Sequence, residues 1–246
     1  MMSITPLSIA LVGYGSMGRE LERLAPQTGC RVDAVFDTEH PLDTQAGGFD
    51  IAIDFSRPDA VLSTVRMLAT LKKNIVLGTT GWAQHKEEIR TLVEEAGIGL
   101  VHGSNFSVGV QMFFRIVRAA AKIANAHTDY DAFLHEMHHV RKADSPSGTA
   151  LTLARILLDE LDRKTELLTE TSHGKIAPEA LHVTSSRGGE IPGTHTVYLD
   201  SIADTIELTH RARNRSGFAL GALRAAHWIH GKKGMYDFSE VFGEIA

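Results

Sequence analysis

The sequence predicts an α/β protein in two parts: a doubly wound parallel sheet, then a second α+β domain with a mixed or antiparallel sheet. Three observations lead there. Between residues 7 and 106, short β-branched runs alternate with amphipathic stretches of helical period. A glycine-rich segment follows the first of those runs directly. Beyond Asn105 the strand-like segments change from continuously apolar to alternating. Strands apolar throughout are buried on both faces by flanking helices, whereas alternation marks a sheet with one face free for water, a ligand or a second subunit.

In order, the first-domain strands are expected at Ser8–Val12, Arg31–Phe36, Ile51–Phe55, Asn74–Leu77 and Ile98–Val101. Leu21, Leu24 and Ala25 mark the first intervening helix, Val61, Val65 and Leu68 the second, and Ile89, Leu92 and Val93 the third, each at the spacing of one buried helical face. Val108–Ala124 reads as a long helix opened by Ser107 as N-cap. A further helix is expected from about Ser147 to Leu161, and alternating strands at Leu181–Ser185, His195–Leu199 and Asp204–Thr209. The last helix, Gly217–His230, carries Leu220, Leu223, Ala226 and Trp228, and its domain is left open by the pattern.

Composition narrows the function classes. The 246 residues are 43% hydrophobic and 22% charged, which excludes collagenous, disordered and coiled-coil chains. With 25 basic against 30 acidic residues and no basic block, neither nucleic acid nor an anionic membrane is an expected partner. No apolar run approaches the roughly 20 residues of a membrane span. Residues 1–6, Met-Met-Ser-Ile-Thr-Pro, lack a signal-peptide charge pattern. A single cysteine, Cys30, suits a reducing compartment, so a cytoplasmic location is expected. Thirteen histidines are a surplus that asks for proton or metal chemistry.

The segment after the first strand is Gly13-Tyr14-Gly15-Ser16-Met17-Gly18, a G-x-G-x-x-G between a strand and a helix. In that setting the first glycine permits the turn, the second admits a pyrophosphate to the backbone, and the third lets helix and strand pack closely. The helix N-terminus receives the negative charge. Asp37, at the tip of the second strand, is placed to accept the ribose hydroxyls of a dinucleotide. Thr38 and Glu39 follow, with no basic residue to balance a 2′-phosphate, so NADH is the expected cofactor in preference to NADPH. The plainer reading is that Asp37 caps a turn. Gly78-Thr79-Thr80-Gly81 and Gly103-Ser104-Asn105-Phe106 end the fourth and fifth strands, on the edge where such sheets bind ligands, and should line the nicotinamide half.

The densest chemistry lies at His135-Glu136-Met137-His138-His139-Val140-Arg141-Lys142-Ala143-Asp144-Ser145-Pro146-Ser147-Gly148-Thr149-Ala150. Its first five residues spell the zinc-protease pattern H-E-x-x-H, which works only when a long helix sets both histidines on one face. Asp144-Ser145-Pro146 leaves too little room for that helix, and no metal is expected. Pro146-Ser147-Gly148-Thr149 instead looks like a helix start, capped by Ser147 or Ser145, whose free N–H groups near Lys142 suit a carboxylate. If the preceding stretch is extended throughout, His138, Val140 and Lys142 share one face and His139 and Arg141 the other. An imidazole and an ammonium in one cleft would supply a proton and hold a carboxylate.

At these residues the chain resembles the dihydrodipicolinate reductase family, in Glu136-x-His138-His139-x-x-Lys142-x-Asp144-x-Pro146-Ser147-Gly148-Thr149-Ala150. The likeness extends to Asp54-Phe55-Ser56, Asn105 to Val110, Arg187-Gly188-Gly189 and Asn214-Arg215. It implies reduction of a cyclic unsaturated dicarboxylate, formed from 4-hydroxy-tetrahydrodipicolinate, to tetrahydrodipicolinate by NADH or NADPH in lysine and diaminopimelate biosynthesis. By match, His138 would be the general acid, and Lys142 the carboxylate partner and a second proton donor. His139, Gly148 and Thr149 would bind the substrate. The cradle, Asp37, Gly78 to Thr80 and Gly103 to Phe106 would hold the cofactor. The resemblance also implies that the last helix returns to the first domain, giving residues 1–106 with 216–246 against 107–215, and a homotetramer built on the second-domain sheets. Many family members have an arginine where this chain has Ser16 and a basic residue where it has Thr38, which weakens the case for NADPH. Two other readings stay open: another NAD-linked dehydrogenase of an amino or keto dicarboxylate, and a non-catalytic NAD-sensing module.

Overall fold

A computed structural model describes residues 5–245; residues 1–4, most of the segment read for a targeting pattern, and residue 246 lie outside the described residues. The first stretch of chain runs β1 (Leu7–Val12), α1 (Ser16–Leu24), β2 (Cys30–Phe36), β3 (Ile51–Asp54), α2 (Val61–Thr70), β4 (Asn74–Leu77), α3 (Lys86–Ala96) and β5 (Gly99–His102). Then come α4 (Val108–Asn125), β6 (Asp131–His138), α5 (Gly148–Glu160), β7 (Glu166–Leu168), β8 (Ala180–Arg187), β9 (Thr194–Asp200) and β10 (Thr205–Arg211). The chain closes with α6 (Ser216–Ile229), β11 (Gly234–Asp237) and the single turn α7 (Phe238–Val241). Two compact units result, one of residues up to 108 with those from 215 onward, the other of residues 109–214.

The first unit is a six-stranded sheet in the order β11-β5-β4-β3-β1-β2, parallel at every pairing. Its apolar strands serve two cores because successive side chains point to opposite faces. Ile9, Leu11, Ile51, Ile53, Val76 and Val101 pack with Leu21 and Leu24 of α1 and the alanine-rich face of α6. Their neighbours Ala10, Val12, Ala52, Ile75, Leu77 and Leu100 pack with Val61, Val65 and Leu68 of α2 and Ile89 and Val93 of α3. β11 has no counterpart in the sequence reading. Its Gly-Met-Tyr-Asp segment lacks a β-branched run and takes its extended form from pairing along β5.

The second unit is a mixed five-stranded sheet in the order β10-β9-β6-β8-β7. β6 lies antiparallel to β9 and parallel to β8. One face packs against α4 and α5 through Phe113, Val117, Leu134, Leu153, Leu157, Val183 and Val197. On the other face Phe133 and Tyr198 are directly paired across β6 and β9, with ring centroids 4.6 Å apart and planes 8° from parallel. The conditional expectation of an extended stretch running on to Lys142 is corrected here. β6 stops at His138, and the chain turns, the Lys142 amide donating to the His139 carbonyl at 3.0 Å. Strand alternation therefore ends before Val140 and Lys142. No helix among the described residues is long and apolar enough to cross a membrane.

Candidate active site

Two groups of candidate site residues emerge, one in each unit. In the first, β1 delivers Gly13 at φ +90° beside the Phe55 carbonyl, where a Cβ would stand 2.4 Å from that oxygen. A side chain would break the turn there. Nothing lies within 4 Å of where a Gly15 side chain would be, so the start of α1 is open to an incoming anion. A cavity of about 620 Å³ adjoins the cradle, lined by Gly13, Tyr14, Gly15, Asp37 and Thr38 together with Phe55, Ser56 and Arg57. A second, of about 420 Å³, is lined by Gly15, Ser16, Met17, Gly78, Thr79 and Thr80, and by Arg215 at the head of α6. Clefts of this size along the carboxyl edge of a parallel sheet, floored by a glycine turn and a helix start, fit an extended dinucleotide.

Individual residues divide the work differently from the sequence expectation. Asp37 lines the first cavity and also caps its own turn, its Oδ1 accepting from the Glu39 and His40 amides at 2.9 Å each. Those amides, His40 first, hold its carboxyl below the usual range, so the group is anionic. Thr79 is less a free contact than a brace: its hydroxyl donates to Asp54 Oδ1 at 2.8 Å and accepts from the Ser56 amide at 2.8 Å. Asp54 is fully buried at the tip of β3, and burial pushes its carboxyl up. The Phe106 ring packs against Phe238 and Phe55 in the core, which leaves only its backbone to meet a ligand. Phe55, Ser56 and Arg215 lay in segments that carry the family resemblance but were given no place at the site, and Arg57 was not singled out. The rule that ligands gather at strand tips, applied to β3 as well as to β4 and β5, would have found Phe55, Ser56 and Arg57.

In the second unit the register of the sheet builds the site. Glu136 on β6 stands opposite Ser185 of β8 and His195 of β9, and His138 stands opposite Arg187. Glu136 is fully buried and His138 and His195 nearly so. Glu136 Oε1 accepts from the Ser147 amide at 2.9 Å, Ser185 Oγ at 2.9 Å and Arg187 Nη2 at 2.8 Å. Its Oε2 accepts from the Ser147 hydroxyl and lies 3.3 Å from His195 Nε2 and 3.4 Å from His138 Nδ1. Burial pushes this carboxyl up, but His195, Ser147 and Arg187 outweigh it and hold it well below the ordinary range. Burial pulls the His138 imidazole down to about 4, with Glu136 opposing and His195, Arg187 and Lys142 adding to the fall.

The ligand atoms of Glu136, His138 and His195 lie within 4.8 Å of one another. The Arg187 guanidinium on the same carboxylate supplies the positive charge a cation would bring, so the donor set reads as a proton network. His135 is on a strand and bonds Thr184 Oγ1 through Nδ1 at 2.7 Å, apart from the helical geometry that zinc proteases need.

Ser147 is the N-cap of α5, its hydroxyl accepting from the Ala150 amide at 3.2 Å. Lys142 Nζ, on the turn before it, lies 2.5 Å from Asp144 Oδ1. Lys142, with the Gly148 amide among the smaller contributors, holds the Asp144 carboxyl below its ordinary value. A carboxylate thus already rests on Lys142, one of the donors expected to receive one. His139 bonds Ile191 only through its backbone amide, at 2.8 Å, and its Nδ1 is buried without a partner.

Comparisons with known proteins identify the family. The family model for the N-terminus of dihydrodipicolinate reductase matches residues 7–106, and that for its C-terminus matches residues 109–242. The 4-hydroxy-tetrahydrodipicolinate reductase of Christiangramia forsetii is 34% identical over 243 residues, covering 97% of this chain and 99% of its own. That of Ralstonia pickettii is 39% identical over 199 residues, 79% of this chain and 74% of its own. Among solved structures, the dipicolinate-bound dihydrodipicolinate reductase of Paenisporosarcina sp. TG-14 superposes with a TM-score of 0.75 at 20% identity, over 96% of this chain and 99% of that one. With both halves matched and relatives aligned almost end to end, the chain belongs to the dihydrodipicolinate reductase family, whose members are NAD(P)H-dependent oxidoreductases.

Proposed function

We propose that this protein reduces the cyclic unsaturated dicarboxylate formed from 4-hydroxy-tetrahydrodipicolinate to tetrahydrodipicolinate, in lysine and diaminopimelate biosynthesis. The observation that carries the reading is the Asp144 carboxylate held on Lys142 Nζ, in the turn between the buried Glu136–His138–His195 cluster and α5, whose cap Ser147 donates to Glu136. The same ammonium would take a substrate carboxylate, Asp144 giving way, and His139, Gly148 and Thr149 would complete its seat.

A nicotinamide held at the cradle would supply hydride to a ring carbon of the substrate. The protein must then hold two carboxylates and deliver one proton to the electron-rich ring that results. Lys142 is the charge partner for a carboxylate and a proton donor in its own right. His138 acts as general acid once the substrate dianion lies beside it, because added negative charge raises an imidazole that is otherwise neutral at pH 7. The coenzyme seat is assigned to the cradle, Asp37, Gly78 to Thr80 and the backbone from Gly103 through Ser104 and Asn105 to Phe106, with Arg57 and Arg215 adding positive charge.

NADH is the preferred reductant in this reading. The anionic Asp37 would meet the ribose hydroxyls, and Arg57, the basic residue among those lining the same cavity, is paired with Asp59 at 3.4 Å. The enzyme is further proposed to work as a cytoplasmic homotetramer.

The test is loss of NADH absorbance with freshly generated substrate. Wild type should turn over, with the larger kcat/KM for NADH. Lys142→Ala should lower kcat/KM by about a hundredfold or more while NADH still binds. Turnover only with a different amino or keto dicarboxylate would replace this reading, and a tenfold preference for NADPH would overturn the cofactor assignment alone.

A further inference from the structure

Glu136 takes no part in the reaction as written above, yet both of its oxygens are heavily engaged. It sits on β6 with its carboxylate wholly removed from solvent. Four donors bond its two oxygens, the amide and hydroxyl of Ser147, the hydroxyl of Ser185 and the guanidinium of Arg187, and His195 Nε2 and His138 Nδ1 stand 3.3 and 3.4 Å from Oε2. A carboxylate serving only to satisfy a helix start would need one or two of these. Here the same group ties the α5 cap, at the proposed carboxylate seat, to the two buried imidazoles.

The geometry sets the protonation of His138. Its Nδ1 is buried, makes no hydrogen bond, and lies 3.4 Å from Glu136 Oε2. A lone pair on Nδ1 would face the carboxylate's own lone pairs, whereas an N–H there points positive charge at them. The ring's other nitrogen, Nε2, faces Gly193, whose φ is +152° and whose Cβ, if present, would stand 3.0 Å from it. Glycine thus leaves room at the edge of the ring away from Glu136. The charged and titratable groups that bear on His138 come from each neighbouring element: Glu136 on β6, Arg187 on β8, His195 on β9 and Lys142 on the turn. Three of the four are positive or become so on protonation; Glu136 alone favours the imidazolium.

We infer that Glu136 is a positioning residue for the proton-transfer step: it holds His138 as the Nδ1–H tautomer, leaves Nε2 as the exchanging edge, and is the counter-charge when the ring is protonated. The role rests on His138 being the general acid of the reaction proposed above. It resembles the part that a buried carboxylate plays behind a catalytic histidine elsewhere, where the acid orients the ring and stabilises its charged form without itself taking the proton.

Two measurements test it. In the wild-type protein without substrate, 15N chemical shifts of the imidazoles, with His138→Gln used to assign the signal, should show His138 as the Nδ1–H tautomer; an Nε2–H tautomer overturns the inference. Glu136→Gln should lower kcat by about tenfold to a hundredfold with the dissociation constant for NADH unchanged. Its descending limb of kcat against pH should move to lower pH by about one unit, because removing the anion makes the imidazolium harder to keep. A variant that is merely less stable, with wild-type kcat and an unmoved pH limb, assigns Glu136 a structural part only and also overturns the inference. Should Glu136→Gln fail to fold, the tautomer in the wild-type chain still decides. If the wild type turns over no substrate, the functional reading fails on its own, while the tautomer measurement still reports on Glu136.

Discussion

At the scale of single residues, His138 shows how burial and charge compete. Burial lowers its imidazole to about 4, against an ordinary value of 6.5, even though a carboxylate stands 3.4 Å away. Between pH 6.5 and 4 the unfolded chain therefore binds a proton at this ring that the folded chain does not, and stability falls as pH falls through that window. The loss from this group should reach about 3 kcal/mol by pH 4. Chemical denaturation at a series of pH values checks it: His138→Gln should be visibly less acid-sensitive across the window than wild type, and an equal slope in both would show that the ring titrates normally. Glu136 contributes with the opposite pKa relation to its charge, its stabilisation being lost only below the usual carboxylate range. Sequence reading reached His138, His139 and Lys142 because their types and spacing are rare. It treated Glu136 as part of a motif, because nothing in a linear string shows that Ser185 and Arg187 of β8 and His195 of β9 come together to meet it.

At the scale of elements, α5 and its cap join fold to function. Ser147 accepts the Ala150 amide, and its own amide and hydroxyl are both given to Glu136. Ser147→Ala should cost about 2 kcal/mol in urea denaturation, toward the upper end for an N-cap because a buried carboxylate also loses a donor. A loss within a few tenths of a kcal/mol would mean that the cap and the carboxylate are satisfied otherwise. The helix start itself was legible from Pro146-Ser147-Gly148-Thr149. Its use was not fully legible: the Ser147 amide, expected to be free for a ligand, is occupied by Glu136. The end of β6 was also beyond sequence reading, because His138 and Val140 would suit a continued strand, and it is the turn closed by His139 and Lys142 that stops it.

At the scale of the whole molecule, the second-unit sheet has one face covered by α4 and α5 and another bearing the stacked Phe133 and Tyr198. Phe133 remains 37% exposed, a large apolar side chain on a flat surface that a second subunit would bury. If the proposed tetramer forms through this face, Phe133→Asp should shift sedimentation to smaller species while circular dichroism keeps the native signal. A variant that sediments as the wild type would place the subunit contact elsewhere.

By itself the sequence determined the parallel first sheet, since its strands are apolar on both faces and alternate with amphipathic helices, and it marked the cradle and the His-His-Lys segment, since both are local in the chain. Only the tertiary structure decided how charge is distributed around them. Register across β6, β8 and β9 gathers a carboxylate, an arginine and two imidazoles that lie up to 59 residues apart. Folding of α6 into the first core brings Arg215 to the cradle. Burial then sets which of those groups carry a proton. Desolvation and cross-strand contact depend on what surrounds a residue, and neighbours along the chain do not specify that.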